Sequence, residues 1–278
     1  MEYLYHYTSI ETLALILSNN TICFNNLLYV DDMEEAETSD MGKFGRFVYV
    51  SCWTSDDKES IPLWNLYTPD MHGVRIRLPK FPFKRYSYKK GDFFLSEDVE
   101  TYINEEELYN ENKISIAGLQ PRLIPVEYTE DLKKLYPTVR TVSSPSEYEK
   151  YLQSGDLKRG EEINVSYSFS DIGKYKRKEW EFQKEWRYII TVTPMGLREL
   201  KQATTQTHQI IFNRIEDRKY TPSKSRLFLH LDEDILQNIE VLGGPKMSEA
   251  EKIIVKSLLK EYCPKGIFKE SELRIRSK

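Results

Sequence analysis

Four places in the chain combine reactive residue types with positions that hold ligands. His6 closes the opening run Met1-Glu2-Tyr3-Leu4-Tyr5-His6, just before Thr8-Ser9-Ile10-Glu11. Polar side chains at such strand ends meet ligands where core positions do not. A satisfied histidine at a strand edge explains His6 equally, and residue chemistry alone favours it. Ser51-Cys52-Trp53, with Thr54 and Ser55 behind, sets hydroxyls beside a large aromatic. That grouping lines a pocket or, more commonly, begins a turn. Trp64 and Tyr67 lie three apart on a short helix, a spacing used more for packing than for ligands. In the fourth place, Glu185 and Arg187 alternate with Trp186 and Tyr188. If Trp186, Tyr188 and Ile190 face the core, the two charged side chains project together on the opposite face. A glutamate at a strand mouth beside tryptophan can be desolvated for electrostatic or acid–base work. On a wet sheet face the same pair contributes little.

The elements that must position these groups are strands and helices in irregular alternation. Tyr3 to Tyr7 reads as a strand. The Thr8-Ser9-Ile10-Glu11 pattern matches a capping box opening a helix, with Ile10, Leu13 and Leu17 on one face. Thr21 to Phe24 resumes a strand, and the acidic loop Asp31-Asp32-Met33-Glu34-Glu35 follows, its aspartates reading as a structural turn. Arg46 to Trp53 is the strongest strand of the N-terminal third. Ser60 to Tyr67 is predicted as a helix, Val74 to Leu78 as a strand, Glu97 to Glu107 as a helix and Arg122 to Tyr128 as a strand. Ser146 to Gln153 and Ile172 to Gln183 read as helices, and Trp186 to Val192 as a strand. Leu227 to Leu231 and Ile239 to Leu242 are later strands, and Ser248 to Tyr262 is a helix capped by Ser248 with Glu251 three residues on. No βαβ rhythm and no GxGxxG or GxxxxGK loop occurs, so an α+β fold is expected over a doubly wound sheet. A single domain over 1–278 is expected, with a polar, tyrosine-rich insertion at about 96–171.

The chain has 278 residues, 40% apolar and 30% charged, enough to bury a sizeable core. It holds no apolar run of the roughly 20 residues that a membrane-spanning helix needs. Its start lacks the basic and apolar blocks of a signal peptide. Cys23, Cys52 and Cys263 stand singly, which predicts neither a disulfide framework nor a zinc site. A cytoplasmic address without membrane or metal follows as the expectation. Net charge is −4, from 40 basic and 44 acidic residues, and excludes a globally basic nucleic-acid coat. Lys174, Lys176, Arg177, Lys178, Lys184 and Arg187 nevertheless concentrate positive charge. They read either as a solvated face or as a rim that draws phosphate.

In combination these features resemble an uncharacterised bacterial domain family of the ADP-ribosyltransferase superfamily. The resemblance runs through Tyr5-His6-Tyr7-Thr8, Asp31 to Glu35, Ser51-Cys52-Trp53, Trp64 with Tyr67, Gly73, Lys176 to Arg187 and the region from Gly243 to Arg274. It covers most of the chain and anchors the insertion least. The N-terminal motif is also similar to the start of bacterial toxins that ADP-ribosylate DNA. The resemblance implies a split mixed sheet with flanking helices, NAD as substrate and no metal. It implies Glu185 as the catalytic carboxylate, His6 on the adenosine ribose, Thr8 assisting with the diphosphate or with backbone positioning, and Ser51 shaping the nicotinamide-ribose pocket. Tyr67 or Trp53 would stack on nicotinamide, while Tyr7, Tyr49 and Tyr67 all compete as the site tyrosine. The first helix would turn its N-terminal amides towards the diphosphate. Gln183, two before Glu185, is the arrangement of relatives that modify asparagine or nucleobases, so arginine is the poorer acceptor.

The implied function is a NAD-dependent ADP-ribosyltransferase, a toxin or anti-phage effector acting on nucleic acid or protein, with an antitoxin as a further partner. NAD hydrolysis without an acceptor is a variant. The alternative class is a non-catalytic module that binds a nucleotide or a partner protein. An RNA-directed 2′-phosphotransferase is a third reading, which Glu185 counts against.

Overall fold

The computed structural model describes residues 2–154, 164–201 and 205–276. The runs of β-branched and aromatic residues become strands: β1 (Tyr3–Thr8), β2 (Thr21–Asn26), β3 (Val48–Thr54), β4 (Val74–Pro79), β5 (Tyr86–Tyr88), β6 (Val99–Thr101), β7 (Ser115–Pro125), β8 (Glu127–Thr129), β9 (Arg140–Val142), β10 (Val165–Tyr167), β11 (Tyr175–Arg177), β12 (Glu185–Thr193), β13 (Arg226–His230), β14 (Glu240–Gly243) and β15 (Ile267–Glu270). Helices α1 (Ile10–Asn19), α2 (Ile61–Tyr67), α3 (Glu105–Glu111), α4 (Leu132–Leu135) and α5 (Pro145–Ser154) are followed by helical segments at Leu197–Lys201, Thr205–Glu216, Glu233–Gln237 and Glu249–Tyr262. One large sheet runs β13-β2-β3-β1-β4-β14-β15, and β12 joins it against β3 with β7 beyond. Its ladders are antiparallel except the parallel pair β14–β15. The molecule is thus a mixed α and β protein on a large mixed sheet.

β3 is the axis of this sheet. Val48, Tyr49 and Val50 are buried at its centre, and α1 lays Leu13, Ile16 and Leu17 into the same core. One edge of β3 pairs with β12 from Glu185↔Thr54 to Thr191↔Val48. The other edge is shared. β1 reaches it only at Tyr5↔Thr54, and β2 only at Asn25↔Val50 and Asn26↔Tyr49. Ser51, Cys52 and Trp53 lie between the two ladders with no strand partner on that edge among the described residues. The sheet splits there, and α1 bridges the two diverging strands.

Several elements differ from the sequence expectation. The cap of α1 is Ser9, whose hydroxyl accepts from the Thr12 amide at 3.1 Å, while Thr8 still belongs to β1. The Thr8–Glu11 capping box does not form, because pairing with β4 continues to Thr8↔Val74. Glu97 to Glu107 is not one helix. Val99–Thr101 pairs with Tyr86–Tyr88, and Asn104 then caps α3. Ile172 to Gln183 is no helix either: Gly173 takes a left-handed φ of +73°, Tyr175–Arg177 pairs in parallel with Glu127–Thr129, and a 3-10 turn covers Lys178–Gln183. Extended backbone there sends Lys176 inward and its neighbours outward. The helix at Thr205–Glu216 and strand β15 carry no prior expectation. The final helix has the full capping box of Ser248 and Glu251. Within the expected insertion, β7 is woven into the main sheet along β12, and 155–163 lies outside the described residues.

Candidate active site

A cleft of about 540 Å³ occupies the split. It is walled by the end of β1, by α1 and by the outer face of β2, with Ser51 and Cys52 at its base and Glu185 and Arg187 on the far strand. A smaller cavity of about 70 Å³ shares His6, Tyr7, Cys52, Tyr67 and Glu185 with it and adds Trp53 and Gln183. All seven residues expected at the site, His6, Tyr7, Thr8, Ser51, Trp53, Tyr67 and Glu185, line one or both spaces. His6 and Glu185, 179 positions apart, are brought together by register. Tyr5, Thr54 and Glu185 form one row across three strands, and His6 follows Tyr5. Two strand spacings put the backbones of the row's ends about 10 Å apart.

His6 bridges the split. Its Nδ1 lies 2.8 Å from the Cys52 carbonyl, one of the groups at the opening between the ladders. A carbonyl only accepts, so Nδ1 carries the proton and the neutral ring keeps Nε2 as an acceptor. Burial lowers the His6 pKa, and the carbonyl bond opposes that only in part, so the ring is neutral at pH 7. Trp53 rests beside it, ring centroids 5.1 Å apart, and donates its indole N–H to the Ser51 hydroxyl at 3.0 Å. Ser51 therefore accepts along its own strand and keeps a proton to donate elsewhere.

Glu185 is 5% exposed and is the centre of a buried charge cluster. Lys176 Nζ donates to Glu185 Oε2 at 3.0 Å and to Gln183 Oε1 at 2.9 Å, and stands 3.3 Å from Glu35 Oε1. Arg187 is fully buried. It donates through Nε to Glu185, through Nη1 and Nη2 to Glu35, and through Nη1 to the Gly173 carbonyl at 3.0 Å. Burial by itself would raise the Glu185 carboxyl. The charges of Arg187 and Lys176 outweigh it and hold the group well below the usual carboxylate range. Burial likewise pulls Lys176 and Arg187 down, and the Glu185 and Glu35 carboxylates raise both despite it. The cluster thus sets two basic side chains, Lys176 and Arg187, against two carboxyl groups, Glu185 and Glu35. Ionised Glu185 has about four lone-pair sites, of which Lys176, Arg187 and the Cys52 thiol take three, so it can still accept from a ligand hydroxyl. The wet-face reading of Glu185 and Arg187 is corrected: both lie on one face, and that face is buried.

Tyr67 carries the network outward. Its hydroxyl accepts from Gln183 Nε2 at 2.6 Å, and burial, then the Asp31 and Glu185 charges, push its pKa far up. Tyr7 is used for packing, edge-on to Trp64 at 4.7 Å, while its hydroxyl accepts from the Ser60 amide at 3.0 Å. Tyr49 is removed from contention, because it is fully buried and donates to the Lys224 carbonyl, away from the cleft. Of the three competing tyrosines, Tyr67 has a polar group in the network around Glu185. Thr8 is buried with its carbonyl close against Gly73, where a Cβ would stand 2.3 Å from the Thr8 oxygen.

The basic stretch is not a free rim. Lys176 and Arg187 are spent inside, while Lys174 pairs with Glu127, Arg177 with Glu34, Lys178 with Glu130 and Lys184 with Asp56. Sequence reasoning missed Glu35 and Lys176 as site residues. The signal for Glu35 lay in the acidic loop, where Asp32 caps a 3-10 turn over Met33–Ala36 and turns Glu35 inward. Among the described residues no group of three or more His, Cys, Asp or Glu is arranged to hold a metal ion, and no helix is long and apolar enough to cross a membrane. Comparison of the chain with family models, curated proteins and solved structures gives no match in any of the three.

Proposed function

We propose that this chain is an NAD-dependent ADP-ribosyltransferase in which Glu185 is the catalytic carboxylate and His6 a nucleotide-binding residue. The observation that carries the proposal is that these two residues share one cleft at the split of the sheet. Breaking the bond from nicotinamide to ribose sends its electron pair to the nicotinamide nitrogen and leaves oxocarbenium character on the sugar, as at a glycosidic centre. A fixed anion beside that sugar stabilises the charge as it develops. Glu185 suits that role because Lys176 and Arg187 keep it ionised and immobile. For the same reason it serves as an acceptor for a ribose hydroxyl and not as an acid. Neutral His6 offers Nε2 to a second hydroxyl. Ser51, Trp53 and Tyr67 shape the space between, and Tyr7 and Thr8 back the wall.

The acceptor is nucleic acid or protein, and its transfer is read with NAD labelled in the adenylate half. Label retained on a macromolecule of a bacterial extract supports transfer; label released only as free ADP-ribose supports hydrolysis. One observation favours the non-catalytic alternative: both Glu185 oxygens already hold protein donors. That reading predicts calorimetric binding of NAD, lost in His6→Ala, with no nicotinamide produced.

A further inference from the structure

The far end of the cleft holds a cation that the proposed chemistry does not use. Arg226 opens β13, which pairs with β2 through Arg226↔Asn25 and Phe228↔Cys23. Alternation on both strands puts Arg226, Phe228, Cys23 and Asn25 on one face, and all four line the cleft. Arg226 is exposed. Among the described residues no ion pair or hydrogen bond engages its guanidinium, unlike Lys176 and Arg187. The carboxylates that line the same spaces have other neighbours. Glu111, in the groove on the other side of β13, pairs with Lys224, Glu107 there stands 3.8 Å from His230, and Asp31, in the cleft, hydrogen-bonds to Tyr67. Two exposed aromatic side chains line the same cleft as Arg226: Phe228, two residues along β13, is 52% exposed and Tyr29 63%. A guanidinium without a partner among the described residues, in one cleft with uncovered aromatic side chains, is suited to a phosphate joined to a flat ring.

Register gives the distance from the reacting end. Arg226, Asn25, Val50 and Ile189 form one row across the sheet, and Glu185 lies in the row of Thr54, four residues further along β3. Four residues span about 13 Å and three strand spacings about 14 Å, so the two backbones stand about 20 Å apart along a continuous cleft. We infer that Arg226, with Phe228 and Tyr29, forms a subsite for a nucleoside 5′-phosphate, taken up by the half of the dinucleotide remote from Glu185. This deepens the NAD reading and rests on it for the identity of the whole ligand, but not for the existence of the subsite.

The test is calorimetry of the full chain with AMP, adenosine, ADP-ribose and a single-stranded oligonucleotide. Wild type is expected to bind AMP and ADP-ribose, and adenosine more weakly. Arg226→Ala should weaken both by about ten-fold or more, with adenosine affinity unchanged. Arg226→Lys should recover part of the loss, because the charge returns without the forked geometry. Phe228→Ala should weaken AMP and adenosine alike. No AMP binding by wild type, or AMP binding equal in Arg226→Ala, overturns the subsite, as does the finding that Arg226→Ala impairs only binding of a single-stranded oligonucleotide. The two proposals fail separately. Arg226-dependent AMP binding without nicotinamide release removes the enzyme and keeps the subsite. Nicotinamide release with an unchanged KM for NAD in Arg226→Ala does the reverse.

Discussion

Replacing Glu35 with glutamine tests whether the charge cluster is the keystone of the cleft. The side chains of Glu35 and Arg187 are 1% exposed and that of Lys176 is 4% exposed, so solvent cannot take over for a lost partner. The intact cluster sums to zero. Glu35→Gln keeps the volume and most hydrogen-bonding atoms but leaves one uncompensated positive charge among buried groups. Removing one partner of a buried pair costs about 3–5 kcal/mol, against about 0–1 kcal/mol for an exposed one. At about 2–4 °C per kcal/mol for a domain of this order of size, the melting temperature should fall by roughly 6–20 °C. Chemical denaturation of Glu35→Gln and of Glu34→Gln measures the difference directly. Glu34, one residue earlier, pairs with Arg177 at the surface, side chains 46% and 37% exposed, and its variant should unfold with the wild-type midpoint. A loss below about 1 kcal/mol in Glu35→Gln, or equal losses in the two variants, would refute the reasoning.

Three further outcomes follow from the same geometry. Nicotinamide release should be flat above the ordinary histidine range and fall on the acid side with a midpoint below 6.5, because burial lowers the His6 pKa and only the neutral ring accepts through Nε2; a pH–rate profile with a midpoint above 6.5 contradicts this. The depressed Glu185 pKa has a defined sign. Its contribution to stability is fully present above the ordinary carboxylate value of 4.5 and is lost as pH falls towards the folded-state value, so its loss in acid denaturation should be confined to that lower window and be absent in Glu185→Gln. Gly73→Ala should destabilise by about 1–3 kcal/mol and weaken NAD binding, since the new Cβ would meet the Thr8 carbonyl at 2.3 Å and Thr68 Cβ at 2.6 Å; a urea midpoint equal to wild type counts against this.

The strands that carry the site were legible where local chemistry and tertiary placement agree. Val48 to Val50 are β-formers and also core, so β3 was visible, and so was β12 with its alternating Trp186 and Tyr188. Ser248 and Glu251 announced the last helix because a capping box is a local interaction. Lys176 shows the opposite case. Lysine in a run of charged residues reads as solvated surface, and only the two carboxylates brought in from Glu35 and Glu185 make a buried lysine tolerable. The turn at Gly173 and the parallel pairing with β8 that aim it inward are equally non-local. Six of the seven candidate residues line one cleft and Trp53 the smaller cavity that shares residues with it, yet the reason for the cleft was not readable. It arises from two ladders that stop short of each other on β3, and register between strands so far apart in sequence leaves no local mark. That Arg226 has no ion-pair or hydrogen-bond partner among the described residues escaped for the same reason, since it depends on which of its neighbours already hold partners.

The most direct test of the central claim is nicotinamide release from NAD by the purified chain, alone and with bacterial extract, compared with Glu185→Gln at a temperature where both are folded by circular dichroism. Release by the wild-type chain is expected, with a loss of at least a hundred-fold in the variant, the order expected for removing one electrostatic contact to the transition state. No release under any of these conditions, or equal release by the folded variant, would contradict it.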